Sequence, residues 1–150
     1  MPKIFQSWPV WALVLSLLLG GCATVPMASL NQDSQAKAFQ VSTKESRIYI
    51  YRNEIFGGAV LMTVSVDGKV LGHTSSKTFL MVNVPPGSHK IESVAENIAS
   101  LSLDTEPGKA YYVWQEVKMG VWMARSALHE VPAAQGQKGV LECKLAQSEQ

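Results

Sequence analysis

Charge of either sign is scarce at the start of this 150-residue chain, where Lys3 is the only charged residue before Cys22. Setting Lys3 aside leaves 12 Lys and Arg against 12 Asp and Glu, a formally neutral remainder. That balance excludes nucleic acid as a partner, because such binding rests on a basic face that neutralises phosphates. It also excludes docking on anionic lipid through a polybasic patch. Cysteine is rare as well: Cys22 and Cys143 are the only two, so no disulfide framework defines the fold. No phosphate-cradling glycine loop, nucleophile elbow or clustered metal-ligand motif occurs. His73, His89 and His129 sit in separate segments and read as surface or turn residues rather than a metal set. The expectation is therefore a protein with no catalytic residue and no cofactor.

A first apolar run is present, but it is short. Trp8 to Leu19 is almost wholly apolar, broken by Pro9 and Ser16. Its length suits a signal-peptide core, whereas a spanning helix needs about 20 apolar residues. The run ends in Leu19-Gly20-Gly21-Cys22, which resembles the bacterial lipobox. There, small residues let an extended backbone enter a peptidase cleft, and the thiol carries a diacylglyceryl group. The reading places cleavage between Gly21 and Cys22 and a lipid on Cys22. Ala23 follows, with no aspartate to signal inner-membrane retention, so the expected location is the outer membrane, facing the periplasm. Residues 1–21 are then a lipoprotein signal peptide, 22–45 a lipidated N-terminus and flexible tether, and 46–147 a folded domain. Within the tether, Gln35 to Phe39 reads either as a helical turn that drops Phe39 onto the domain or as solvated spacer.

From Arg47 the chain alternates. Arg47 to Arg52 sets Ile48 and Ile50 against Tyr49 and Tyr51, the period of a strand. Ala59 to Val66 is a second strand, and Asp67-Gly68 turns it into Lys69 to Gly72. Thr78 to Val84 follows and ends at Pro85-Pro86-Gly87, where Pro86-Gly87 suits the centre of a type II turn. His89 to Glu96, Ser100 to Thr105, Ala110 to Met119 and Trp122 to Val131 complete the set. Strands of this length with regular turn signals predict a mostly β sandwich. The predicted core is Ile48, Ile50, Leu61, Val64, Val66, Val84, Ile91, Leu101, Leu103, Val113 and Val117. Gly120 is expected to take a positive φ and reverse the chain. After Pro132, Ala134, Lys138, Leu141 and Leu145 share a helical face, although Gly136 and Gly139 oppose a helix and Leu141, Cys143 and Leu145 also fit a strand. A short C-terminal helix is the reading adopted.

The segments "RIYIYR", "VSVDGKVLG", "VPPGSHKI" and "EPGKAYYVWQEVKMG", in this order behind a lipobox, resemble an uncharacterised family of bacterial lipoproteins, domain-of-unknown-function family 2846. The resemblance covers about Arg47 to Leu145. "VPPGSHKI" alone is also similar to PEGA-type surface domains. The resemblance implies an all-β, immunoglobulin-like domain on an envelope lipoprotein, and it carries over no catalytic residue.

The aromatic residues are the most informative feature. If the first and longest strands share a sheet, Tyr49, Tyr51, Tyr112 and Trp114 form a flat face edged by Arg52, Glu116 and Lys118. Exposed, that face suits sugar rings or a protein partner; covered by the C-terminal segment, it is a second core layer. Glu92 and Glu96 beside Lys90 read as a solvated strand face. Cys143, an odd thiol in an oxidising compartment, reads as a buried small hydrophobe or the source of an intermolecular disulfide. The functional expectation is a non-enzymatic envelope module that binds a protein partner or supports an assembly, with glycan or peptidoglycan binding as the alternative and an enzyme the least favoured.

Overall fold

The computed structural model describes residues 24–149. Among these residues nine strands form two sheets that face each other. They are β1 (Ser46–Arg52), β2 (Met62–Val66), β3 (Lys69–Thr74), β4 (Thr78–Val84), β5 (Gly87–Val94), β6 (Ile98–Thr105), β7 (Ala110–Met119), β8 (Ala124–Val131) and β9 (Lys144–Leu145). Helix α1 (Leu30–Ala36) precedes them, and α2 (Ala133–Leu141) lies between β8 and β9. The five-stranded sheet has the order β8-β7-β1-β4-β9 and the four-stranded sheet β3-β2-β5-β6. β1 runs parallel to β7 and antiparallel to β4, which places Tyr49 beside Tyr112 and Tyr51 beside Trp114. This is the β-sandwich with a short C-terminal helix that the alternation predicts.

Period 2 sorts the side chains into two cores. Between the sheets lie Ile48, Ile50, Val64, Val66, Leu71, Leu80, Val84, Ile91, Leu103 and Val113, with Leu101 packed against them. Leu61 is the exception among the predicted core residues, at 43 % exposed. The strand begins one residue later, at Met62, whose side chain takes the inward position with Val64 and Val66. A polar group also sits in this core: Thr74 Oγ1 donates to Gln115 Oε1 (2.6 Å), Gln115 Nε2 donates to Ser93 Oγ (2.6 Å), and Ser126 Oγ donates to the same Ser93 oxygen (2.7 Å). All four side chains are buried. Each is affordable only because the others satisfy it.

The turns follow their chemistry with two differences. Asp67 (φ +51°) and Gly68 (φ +78°) both take the left-handed region, as a two-residue hairpin requires. Gly87 has φ +143° and is already the first residue of β5. Pro85-Pro86 thus carries the chain from one sheet to the other and is not half of a hairpin. β7 and β8 do form a hairpin, with Met119 opposite Ala124, but Gly120 lies outside the positive-φ region. Glycine is required there by close approach: a β-carbon at position 120 would overlap the Met123 carbonyl oxygen and come within 2.7 Å of Glu96 Oε2.

The segment expected as a tether is folded from Thr24 onward. Val25 is buried in the core between the sheets. Ser29 caps α1 in a reciprocal capping box with Gln32. Asp33 Oδ1 accepts from the Leu145 amide at 2.8 Å, and Ala36 is buried. Phe39 lands on the domain, its ring edge-on to Tyr49 and Tyr112 at 5.5 and 6.0 Å.

Candidate functional site

The aromatic strand face is a second core. Tyr49, Tyr51 and Tyr112 are buried with Phe79, Ala36, Val140, Cys143 and Leu145. Tyr49 and Tyr112 stack at 5.1 Å, and the Tyr49 hydroxyl donates to the Ala36 carbonyl at 2.9 Å. Burial raises the pKa of all three phenols, that of Tyr51 to about 12. The glycines that seemed to oppose a helix are what allows α2 to lie here. Gly136 rests on the Tyr112 ring and Gly139 on the Tyr51 ring, where any β-carbon would overlap ring atoms. Their helix-propensity cost of about 1 kcal/mol each is outweighed by burial of the rings. The inward face of α2 is therefore Gly136, Gly139 and Val140, and the expected contact residue Leu141 is 58 % exposed. Of the residues that also fit a strand, Leu141 ends the helix and only Leu145 lies in one, the two-residue β9.

The proposed platform is thus not available for stacking on a ligand. Trp114, half-buried, packs against His129 at 5.3 Å. Glu116 binds Lys118 (2.9 Å) and His129 (2.8 Å) at the rim, and these contacts hold its carboxyl below the usual range. Arg52 is not at the edge at all. It shares the inward parity of Ile48 and Ile50 and is fully buried. Burial lowers its pKa. Cys143 is a free, buried thiol whose pKa burial pushes up to about 12, the state of an inert small hydrophobe. Gly21 and Cys22 lie outside the described residues.

What the fold brings together instead is an apolar end of the sandwich. The β1–β2 and β7–β8 loops meet there, and Phe56, Gly57, Val60, Val121, Trp122 and Met123 line a common cavity. Trp122 is 90 % exposed, and Met119, Ile55 and Val121 are each more than three-quarters exposed. Of the 13 exposed large apolar side chains among the described residues, six belong to these two loops. Both loops are held by charge. The Arg52 guanidinium donates to the carbonyls of Val60 (2.7 Å), Gly57 and Phe56. The Glu96 carboxylate accepts from the amides of Met123 (2.8 Å), Trp122 (2.8 Å) and Val121 (3.0 Å). Those three amides hold its pKa at about 2, so it stays ionised in any ordinary buffer. Sequence reasoning missed this role for Glu96, and placed Arg52 on the wrong face although its even parity with Ile48 and Ile50 is visible in the chain.

The His89–Asp67 pair is a structural staple. His89 Nδ1 contacts Asp67 Oδ2 and its Nε2 contacts the Pro85 carbonyl, both at 2.7 Å, so both nitrogens are engaged. Burial opposes the charged form, but the hydrogen bonds to Asp67 and Pro85 outweigh it and raise the pKa. A group whose folded-state pKa is raised stabilises fully below its unfolded value of about 6.5, and that stability is lost as pH rises through the folded pKa. Urea midpoints of the parent should therefore fall between pH 5.5 and 8.5, and a His89→Asn chain should fall less. Equal slopes would mean that folding leaves the His89 pKa unshifted. Asp67, whose pKa is lowered chiefly by His89, stays ionised across this window.

Among the described residues no group of three or more His, Cys, Asp or Glu is placed to hold a metal ion, and no helix is long and apolar enough to cross a membrane. No solved structure matches the chain. A protein of Haemophilus influenzae described only as uncharacterised is 35 % identical over 136 residues, covering 89 % of this chain and 81 % of its own. The family model described as "Protein of unknown function (DUF2846)" matches residues 42–127, from just before β1 into β8. The chain belongs to the DUF2846 family.

Proposed function

We propose that this protein is a lipid-anchored component of the bacterial envelope, held on the outer membrane through Cys22, whose folded domain is a non-enzymatic binding or structural module. The junction between lipobox and fold carries the reading. Leu19-Gly20-Gly21-Cys22 ends two residues before Thr24, and the next residue, Val25, is already buried in the sandwich. Processing at Gly21-Cys22 would leave a domain with an acylated N-terminus, and each buried methylene of its chains contributes about 0.8 kcal/mol to anchoring. The non-enzymatic part is supported by the titratable groups the fold assembles. His89, Glu96 and Glu116 each already hold a structural partner. A protein partner is favoured over glycan or peptidoglycan, because three of the four rings expected to stack on sugars are buried and the fourth, Trp114, is half-buried.

Intact-mass analysis of the membrane fraction tests the anchor. The expected result is a chain that begins at an acylated Cys22, with a Cys22→Ala variant absent from that fraction. A released protein with unmodified Cys22 refutes it. Pull-down from solubilised envelopes, set against peptidoglycan co-sedimentation, separates the two classes of partner.

A further inference from the structure

We infer that the apolar end of the sandwich is a membrane-docking surface that seats the domain in the interfacial layer of a lipid bilayer; this rests on the proposed acylation of Cys22. Three observations converge on it. The first is composition and shape. Trp122 and Val121 in one loop, Ile55 in the other and Met119 at the end of β7 are each more than three-quarters exposed, and so many exposed apolar side chains on one end of a small domain mark an interaction site. An exposed tryptophan flanked by aliphatic residues is the side-chain set that settles at the level of lipid headgroups.

The second observation is position. Thr24, where the described chain begins, lines the same surface cavity as Ile55, Gly58, Lys77 and Lys144. Thr24 is two chain steps from Cys22, which reach at most about 7 Å. An acyl group on Cys22 therefore holds this end of the sandwich, and not the opposite one, at the bilayer. Lys77 and Lys144 line the cavity with Ile55, and Lys118 lines that of the Trp122 loop. Lys77 and Lys118 are already paired with Glu142 and Glu116, so the apolar side chains and not free cations carry the docking.

The third is rigidity. Glu96 ties down the amides of the 121–123 loop, and Asn97 is bonded to both the carbonyl and the amide of Ser126 in β8. Arg52 ties down the other loop from beneath. Loops ordered before they meet lipid lose little conformational entropy on insertion. The near-neutral charge of the chain is consistent with this, because insertion draws on apolar area and only secondarily on anionic lipid.

The test uses the full chain, processed in bacterial membranes, purified and reconstituted into phosphatidylethanolamine–phosphatidylglycerol vesicles with brominated acyl chains. Trp8 and Trp11 precede Cys22, so the cleaved chain retains only Trp114 and Trp122 of its four tryptophans. In a Trp114→Phe chain the expected result is a blue shift and loss of most of the Trp122 emission. In a Trp122→Phe chain the emission of Trp114 should be unquenched. Should Trp114→Phe fail to fold, the difference between the parent and Trp122→Phe supplies the same reading. Intact mass is recorded on the same sample. An acylated chain with unquenched Trp122 overturns the docking while leaving the anchor standing, as does crosslinking of position 122 to a second copy or another protein in intact membranes. An unacylated Cys22 overturns the anchor and this docking with it.

Discussion

A Gly139→Val chain is expected to lose about 3 kcal/mol of stability, the upper end of the usual range for overpacking a filled core. In the middle of a helix, replacing glycine normally gains up to about 1 kcal/mol, because the unfolded backbone loses freedom. Here the added β-carbon would overlap Cε2 of Tyr51 and lie 2.5 Å from its Cζ. Neither partner can yield cheaply. Tyr51 is buried between β1 and the helix, and Val140 and Cys143 pack into the same core. Helix α2 must lift, which uncovers the rings of Tyr51 and Tyr112. Gly139→Ala should cost about 1–2 kcal/mol, since its propensity gain offsets part of the clash. Urea denaturation of both variants measures the effect. Combining Gly139→Val with Tyr51→Ala should cost less than the sum of the two, because the clash disappears with the ring. A Gly139→Val chain as stable as the parent would mean that α2 does not rest on Tyr51.

The second large effect concerns Arg52. Arg52→Met keeps the aliphatic bulk in the core but leaves the carbonyls of Phe56, Gly57 and Val60 without their donor. An orphaned acceptor costs about 1–3 kcal/mol when buried, and less where water can reach it. Removing a desolvated cation recovers part of that. The expected net loss is about 2–3 kcal/mol, with a local signature. Amide exchange should accelerate through Phe56 to Val60, while that of β5 and β6 stays slow. Arg52→Lys should fall between the two, because one ammonium cannot span three carbonyls. Uniformly slow exchange in Arg52→Met would show that the loop holds its shape without the guanidinium.

Together these variants separate the two kinds of information in the chain. Alternation is local, because each strand residue is assigned a face by its neighbours two positions away. That is why Ile48, Ile50, Val113 and Val117 are legible as core, and why the Asp67-Gly68 hairpin follows from two residues alone. The Ser29-Leu30-Asn31-Gln32 capping box is equally local, though it lies in a polar stretch with the composition of a spacer. The resemblance of Leu19-Gly20-Gly21-Cys22 to a lipobox likewise rests on four consecutive residues.

Whether an aromatic face is a binding surface or a core depends on what crosses it, and that is decided by segments far apart in the chain. Gly139 meets Tyr51 and Gly136 meets Tyr112 only after the chain has passed through both sheets. The same holds for polar residues. Gln115 can be buried because Thr74 and Ser93 come from the opposite sheet. Glu96 looks like any solvated carboxylate until the β7–β8 loop, 25 or more residues later, turns three amides toward it. Sequence periodicity determines which way a side chain points. Only the packed tertiary structure decides what it meets there, because burial and hydrogen bonding are properties of pairs that the local pattern does not contain.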